Sequence, residues 1–176
     1  MERIIALALG LIMVLCAVNV LAEEKVELET VSVGQAFSIR SKLPEGYQFM
    51  LVENTELNVV GVLNGGKDKP FVTVSIAYND EYNGVERFND VDEATVQEIR
   101  ESFMEMDDVE FEDLETAYGT RLLKVTTTSD KSFVDIYTIY KGFELEFLMY
   151  FEGELQDKDV QMLVDFISDM DFVPVE

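Results

Sequence analysis

Carboxylates are the one abundant reactive group in this chain: 36 Asp and Glu stand against 13 Lys and Arg, with no histidine and a single cysteine, Cys16. Without histidine, the usual proton shuttle near neutral pH and the commonest transition-metal ligand are missing. Cys16 lies in an N-terminal segment expected to be removed. The remaining chain then has no thiolate for nucleophilic, iron–sulfur or zinc chemistry. Residues 23–176 contain no Gly-x-Ser-x-Gly elbow, Ser-x-x-Lys pair, Walker loop or dinucleotide fingerprint. Asn64-Gly65-Gly66-Lys67 has glycines and a lysine but lacks the rest of a phosphate loop, and it reads as a turn.

Two kinds of carboxylate chemistry stay open. A glycosidase needs two carboxyl groups about 5–10 Å apart, one with a raised pKa. Glu144 and Glu146 share one face of a strand at a compatible separation, as do Glu110 and Glu112. So acidic a chain produces such pairs by composition alone, and it has no tryptophan to serve as a sugar platform. The second chemistry is calcium binding. Asn79-Asp80-Glu81-Tyr82-Asn83-Gly84, with Asp90 at the twelfth position, partly copies a helix–loop–helix calcium loop, making Asn79, Glu81, Asn83 and Asp90 the candidate ligands. The first position is Asn rather than Asp, the eighth is Glu86 rather than an aliphatic residue, and a strand precedes the loop. A solvated polar connection fits the same residues.

The elements that must position these groups begin after the N-terminal segment. Residues 1–22 carry Arg3, an apolar run from Ile4 broken by Gly10, and Val20-Leu21-Ala22 ahead of Glu23-Glu24-Lys25. This is the layout of a secretory signal peptide cut after Ala22. A retained membrane anchor is the alternative, since the stretch approaches the ~20 residues needed to span a bilayer. Lipidation at Cys16 ranks third, because Leu15 stands where a small residue is wanted. Glu2 and Arg3 cancel, so the net charge of −23 stays on the exported chain. That charge repels nucleic-acid phosphates and anionic lipid, and it favours cationic partners. Plentiful Phe, Leu, Ile and Val argue against disorder.

Residues 23–35 read as a flexible leader and 36–176 as one α+β domain. Phe37–Ile39 ends before a Pro44-Glu45-Gly46 turn. Tyr47–Val52, Leu57–Leu63 and Phe71–Tyr78 are strand-like. Asp90 or Asp92 can cap a helix with Val96, Ile99, Phe103 and Met106 on one face. Val109–Glu112, Arg121–Thr128, Phe133–Tyr140 and Phe143–Phe151 follow as strands, the last two joined by Lys141-Gly142 as a tight hairpin. In these two strands apolar residues fall on both faces, which places them mid-sheet with both sides covered. A second helix carries Asp157 and Asp159 at its positive end and Val160, Leu163, Val164 and Ile167 as a buried stripe. Strands, helix, strands, helix with hairpin connections imply an α+β fold on an antiparallel sheet.

The Pro44-Glu45-Gly46-Tyr47 entry, the mid-chain helix, the meander of long strands and a last helix ending in Asp169-Met170-Asp171-Phe172 resemble the small secreted bacterial domains with the PsbP-like fold. The likeness spans residues 36–173. It implies an antiparallel sheet sandwiched between helices, and a binding or assembly role with no catalytic motif to carry over. The sequence expectation is therefore a secreted, non-catalytic binding module with an acidic surface, no catalytic or cofactor residues, and an unknown protein or cationic ligand as partner. It binds no nucleic acid and has no stable membrane insertion after cleavage. A calcium-dependent module is the first alternative and a carboxylate hydrolase the second. Because carboxylates titrate near pH 4 and histidine is absent, net charge should stay nearly flat from about pH 6 to about pH 8. Solubility should follow, falling only near the sequence pI of about 4.1. Turbidity across that range checks this, and precipitation at neutral pH without added cations would contradict it.

Overall fold

The computed structural model describes residues 26–32, 35–54, 58–104 and 108–174. The expected signal peptide, residues 1–22, lies outside them. The strands are β1 (Val26–Ser32), β2 (Gln35–Ser41), β3 (Gln48–Asn54), β4 (Asn58–Asn64), β5 (Phe71–Tyr78), β6 (Val109–Glu115), β7 (Arg121–Thr127), β8 (Phe133–Tyr140), β9 (Phe143–Tyr150) and β10 (Asp171–Pro174). Two helices, α1 (Glu93–Phe103) and α2 (Asp157–Ser168), and two 3₁₀ turns, Asp80–Tyr82 and Phe88–Asp90, complete the described elements. All ladders are antiparallel. One sheet runs β3-β4-β5-β9-β8-β7-β6 and a smaller one β1-β2-β10. The class is α+β on an antiparallel sheet, as the pattern of elements implies.

The residues that read as apolar on both faces do form the middle of the large sheet. β9 pairs with β5 on one side and β8 on the other. The β8–β9 hairpin closes over Lys141 (φ 51°) and Gly142 (φ 81°), two left-handed residues whose twist suits a two-residue connection. The alternation then sorts side chains between two cores. Val134 and Ile136 of β8 join Phe147 of β9 and Leu163 and Ile167 of α2. Tyr137 and Ile139 of β8 join Leu123 of β7 and Val96 and Ile99 of α1. Each large apolar side chain buried in this way contributes roughly 1.5–3 kcal/mol.

Both helices start where the sequence supplies caps. Asp92 Oδ1 accepts from the N–H groups of Ala94 and Thr95 at 3.0 Å each, satisfying donors that the first turn of α1 leaves unpaired. At α2 the Asp159 carboxylate reaches back to the Gln156 N–H at 2.9 Å. Met106, expected to extend the α1 stripe, lies outside the described residues.

Regular structure begins earlier than the pattern suggests. Val26–Ser32, within the expected leader, is strand β1, paired with β2, and the tail strand β10 lies on the other side of β2. Val26 and Leu28 alternate with Glu27 and Glu29 there, but β10, at the far end of the chain, completes the sheet. Ser41 Oγ donates to the Phe166 carbonyl of α2 at 3.0 Å, tying this small sheet to the second helix.

The two edges of the large sheet differ. β6 carries Glu110, Glu112, Asp113 and Glu115, charges that discourage edge-to-edge pairing. β3 is bulged between Leu51 and Glu53 and leaves Leu51 half exposed. Ile136→Ala, at full burial, should therefore cost about 2–5 kcal/mol. Leu51→Ala should stay within about 0.5 kcal/mol. Urea denaturation of the two variants checks the contrast; equal losses would contradict the assigned core.

Candidate functional site

Strand alternation places Glu144 and Glu146 on the face of β9 that α1 shares. Glu146 stands opposite Tyr137 of β8 and Ser75 of β5, and Glu144 opposite Ile139 and Ala77. Both carboxylates are partly exposed. Leu148 and Tyr150 continue the row, with Tyr150 44% exposed. The paired reading of Glu144 and Glu146 along one strand face thus holds in space. Glu110 and Glu112 instead lie on the edge strand β6, where Glu112 Oε2 meets Lys124 Nζ at 2.7 Å.

The residue that sequence reasoning missed is Asp135. It sits mid-way along β8, opposite Val125 of β7 and Leu148 of β9, and is only 3% exposed. Its diagonal neighbour on β9 is another acid, Glu146. Burial pushes Asp135 well above the usual carboxylate range; the neighbouring Glu146 charge and hydrogen bond push the same way, against a smaller opposing pull from the Ile136 N–H. These contacts leave Asp135 Oδ1 without a hydrogen-bond partner. The signal was available: Asp135 is the one acid inside Phe133-Val134-Asp135-Ile136-Tyr137-Thr138-Ile139-Tyr140.

A second polar chain runs beside this pair. Tyr137 Oη donates to Glu144 Oε1 at 2.8 Å. Tyr82 lies buried beside Tyr137 in the same core. Burial, reinforced by the Glu144 charge, raises both phenols, so each remains a neutral donor. Basic side chains near this face are engaged elsewhere. Arg100 of α1 and Arg121 of β7 converge on Asp113 at 2.8 and 2.9 Å, and Arg121 also reaches Glu93 at 2.7 Å. Hydrogen bonding from Arg121, then its charge and that of Arg100, holds Asp113 below the usual carboxylate range against a smaller cost of burial.

The calcium candidates lie on the segment between β5 and α1. Residues 79–90 fold as successive 3₁₀ turns, pinned by buried Tyr82 and Phe88. Asn79 Oδ1 accepts from the Glu81 N–H at 3.0 Å, and Asp90 Oδ2 from the Arg87 N–H at 3.1 Å. Glu81 and Asn83 are exposed. Among the described residues no group of three or more His, Cys, Asp or Glu has the geometry to hold a metal ion, and no helix is long and apolar enough to cross a membrane.

No protein-family model, curated protein or solved structure matches the chain.

The buried carboxyl makes stability depend on pH in a stated direction. With its folded pKa raised above an unfolded value of ~3.9, Asp135 keeps a proton that the unfolded chain has released. Its contribution to folding is fully present below about pH 4 and lost as pH rises through the raised folded value. Asp135→Asn should flatten that descent, since an amide at this position does not titrate. Urea midpoints against pH for both proteins check this; parallel curves would contradict it.

Proposed function

We propose that this chain is an exported, non-catalytic binding module. We further propose that it has a PsbP-like architecture, its antiparallel sheet sandwiched between helices, and that it seats a basic segment of a protein partner on the face of β9 and β5 carrying Glu144 and Glu146. The observation that carries this reading is the row Glu144, Glu146, Leu148, Tyr150. Two partly exposed carboxylates lie in line with an apolar and an aromatic side chain, and the ion pairs of Arg100 and Arg121 go to other acids. A lysine or arginine fits such a row chemically, its stem against Leu148 and Tyr150 and its head on the carboxylates. The net charge of −23 draws a basic partner from a distance and speeds its encounter.

Hydrolysis has weaker support. The carboxyl with the raised proton affinity, Asp135, is almost wholly buried, where no glycosidic oxygen can reach it.

Calorimetric titration of residues 23–176 with oligolysine tests the reading. Glu144→Gln with Glu146→Gln should weaken binding by about tenfold or more, equivalent to ~1.4 kcal/mol. Glu110→Gln with Glu112→Gln, equal in charge removed but on the sheet edge, should change it far less. Equal weakening by the two pairs would mean diffuse attraction and would refute the assigned face.

A further inference from the structure

We infer that Asn83 is a self-modifying site: the Gly84 backbone nitrogen attacks its side-chain amide, ammonia is lost, and isoaspartate is left in the chain. The sequence holds two Asn-Gly pairs, Asn64-Gly65 and Asn83-Gly84. In both, glycine lacks the side chain that otherwise hinders attack by the following nitrogen. The fold tells them apart. Tyr82 to Val85 form a type II turn, with Asn83 at φ −59°, ψ 120° and Gly84 at φ 88°. The Val85 N–H closes it by donating to the Tyr82 carbonyl at 2.9 Å. That bond does not involve the peptide plane between Asn83 and Gly84. The plane can therefore flip toward a type I turn with the closing bond kept, because glycine accepts φ of either sign. One sense of the flip carries the Gly84 nitrogen past the Asn83 side chain. Both residues are exposed. Among the described residues, nothing beyond its chain neighbours lies within 4 Å of where a Gly84 Cβ would stand.

Asn64-Gly65 is held at each point that would have to move. Asn64 ends β4 in register with Gln48 of β3 and Phe71 of β5. Its Oδ1 accepts from the Gly66 N–H at 2.8 Å, which fixes the carboxamide. A Cβ on Gly65 would stand 2.7 Å from Lys69 Cδ and 2.9 Å from Tyr47 Cζ, so its backbone is packed against both side chains. Giving up one hydrogen bond before attack slows the step by up to about tenfold.

The chemistry needs only water and hydroxide. The Gly84 N–H gives its proton to hydroxide, and the nitrogen forms a bond to Asn83 Cγ. The Cγ–Nδ2 bond breaks, and Nδ2 leaves as ammonia after taking a proton from water. Water then opens the five-membered imide. Cleavage at Cγ leaves aspartate, and cleavage at the backbone carbonyl leaves isoaspartate, with the chain running through the side-chain carboxyl. The isoaspartate chain is longer by one methylene between buried Tyr82 and Val85. The Val85 and Glu86 carbonyls accept from the Gly142 and Lys141 N–H groups at 3.1 Å each. Lengthening the chain here loosens the fastening of the β8–β9 hairpin.

Ageing the purified protein at mildly alkaline pH, followed by peptide mapping with mass spectrometry, measures both sites in one sample. Asn83 should convert at least about tenfold faster than Asn64 in the folded protein. In urea, where the fold protects neither, the two rates should converge. Comparable folded-state rates, or a faster Asn64, overturn the inference. An Asn83 excess that survives unfolding also overturns it, since the cause would then be neighbouring residues rather than the turn. Hydrogen exchange reads the consequence. The Gly142 amide of the isoaspartate form should exchange at least about tenfold faster than in fresh protein. Asn83→Asp adds the same charge without the methylene and should leave that amide unchanged. Equal speeding by Asn83→Asp, or unchanged exchange in the aged form, overturns the loosening of the hairpin.

Discussion

A carboxyl group cannot stay charged inside a fully paired sheet without a cation, and the centre of this sheet contains one. Asp135 lies on β8, which has a strand on each side in the same sheet, and its diagonal neighbour on β9 is another acid, Glu146. Both strands are already committed to packing: Ile136 and Phe147 to the α2 core, Tyr137 and Ile139 to the α1 core. Asp135 cannot move into solvent without undoing that packing, because a slip of one residue would turn every side chain to the other face.

Apolar packing fixes the register, and the register aligns the polar groups. Because β9 is held between β5 and β8, Glu144 and Glu146 are locked to one face and brought against Tyr137 and Asp135. The residues between β5 and α1 contribute Tyr82 from a 3₁₀ turn whose backbone is bound to the β8–β9 hairpin: the Val85 and Glu86 carbonyls accept from the Gly142 and Lys141 N–H groups. A loop that looked like a solvated connection is fastened to the sheet at this point and buries Tyr82 in the core that holds Tyr137.

Much of this architecture can be read from local patterns. The two-sided apolarity of β8 and β9, the Lys141-Gly142 turn, the Asp92 cap and the α2 stripe each follow from a few neighbouring residues obeying a period of two or 3.6. The β1-β2-β10 sheet does not, because it joins the two ends of the described chain and its short strands carry little signal alone. The candidate site is half legible. Glu144 and Glu146 stand out as an alternating pair. Asp135 is visible as an acid in an apolar strand, but its meaning depends on a diagonal neighbour fixed by register. The Asn79–Asp90 segment shows the converse: ligand-like spacing in sequence, with Asn79 and Asp90 accepting from backbone N–H groups in space.

Titration of the Asp135 carboxyl carbon by NMR, in the ligand-free protein, tests the central claim most directly. Asp135 should remain protonated at pH values where exposed aspartates are already ionised. A single Asp135 transition near ~3.9, the value of a solvated aspartate, with the β8–β9 ladder intact, would contradict a buried, protonated carboxyl at the heart of the sheet.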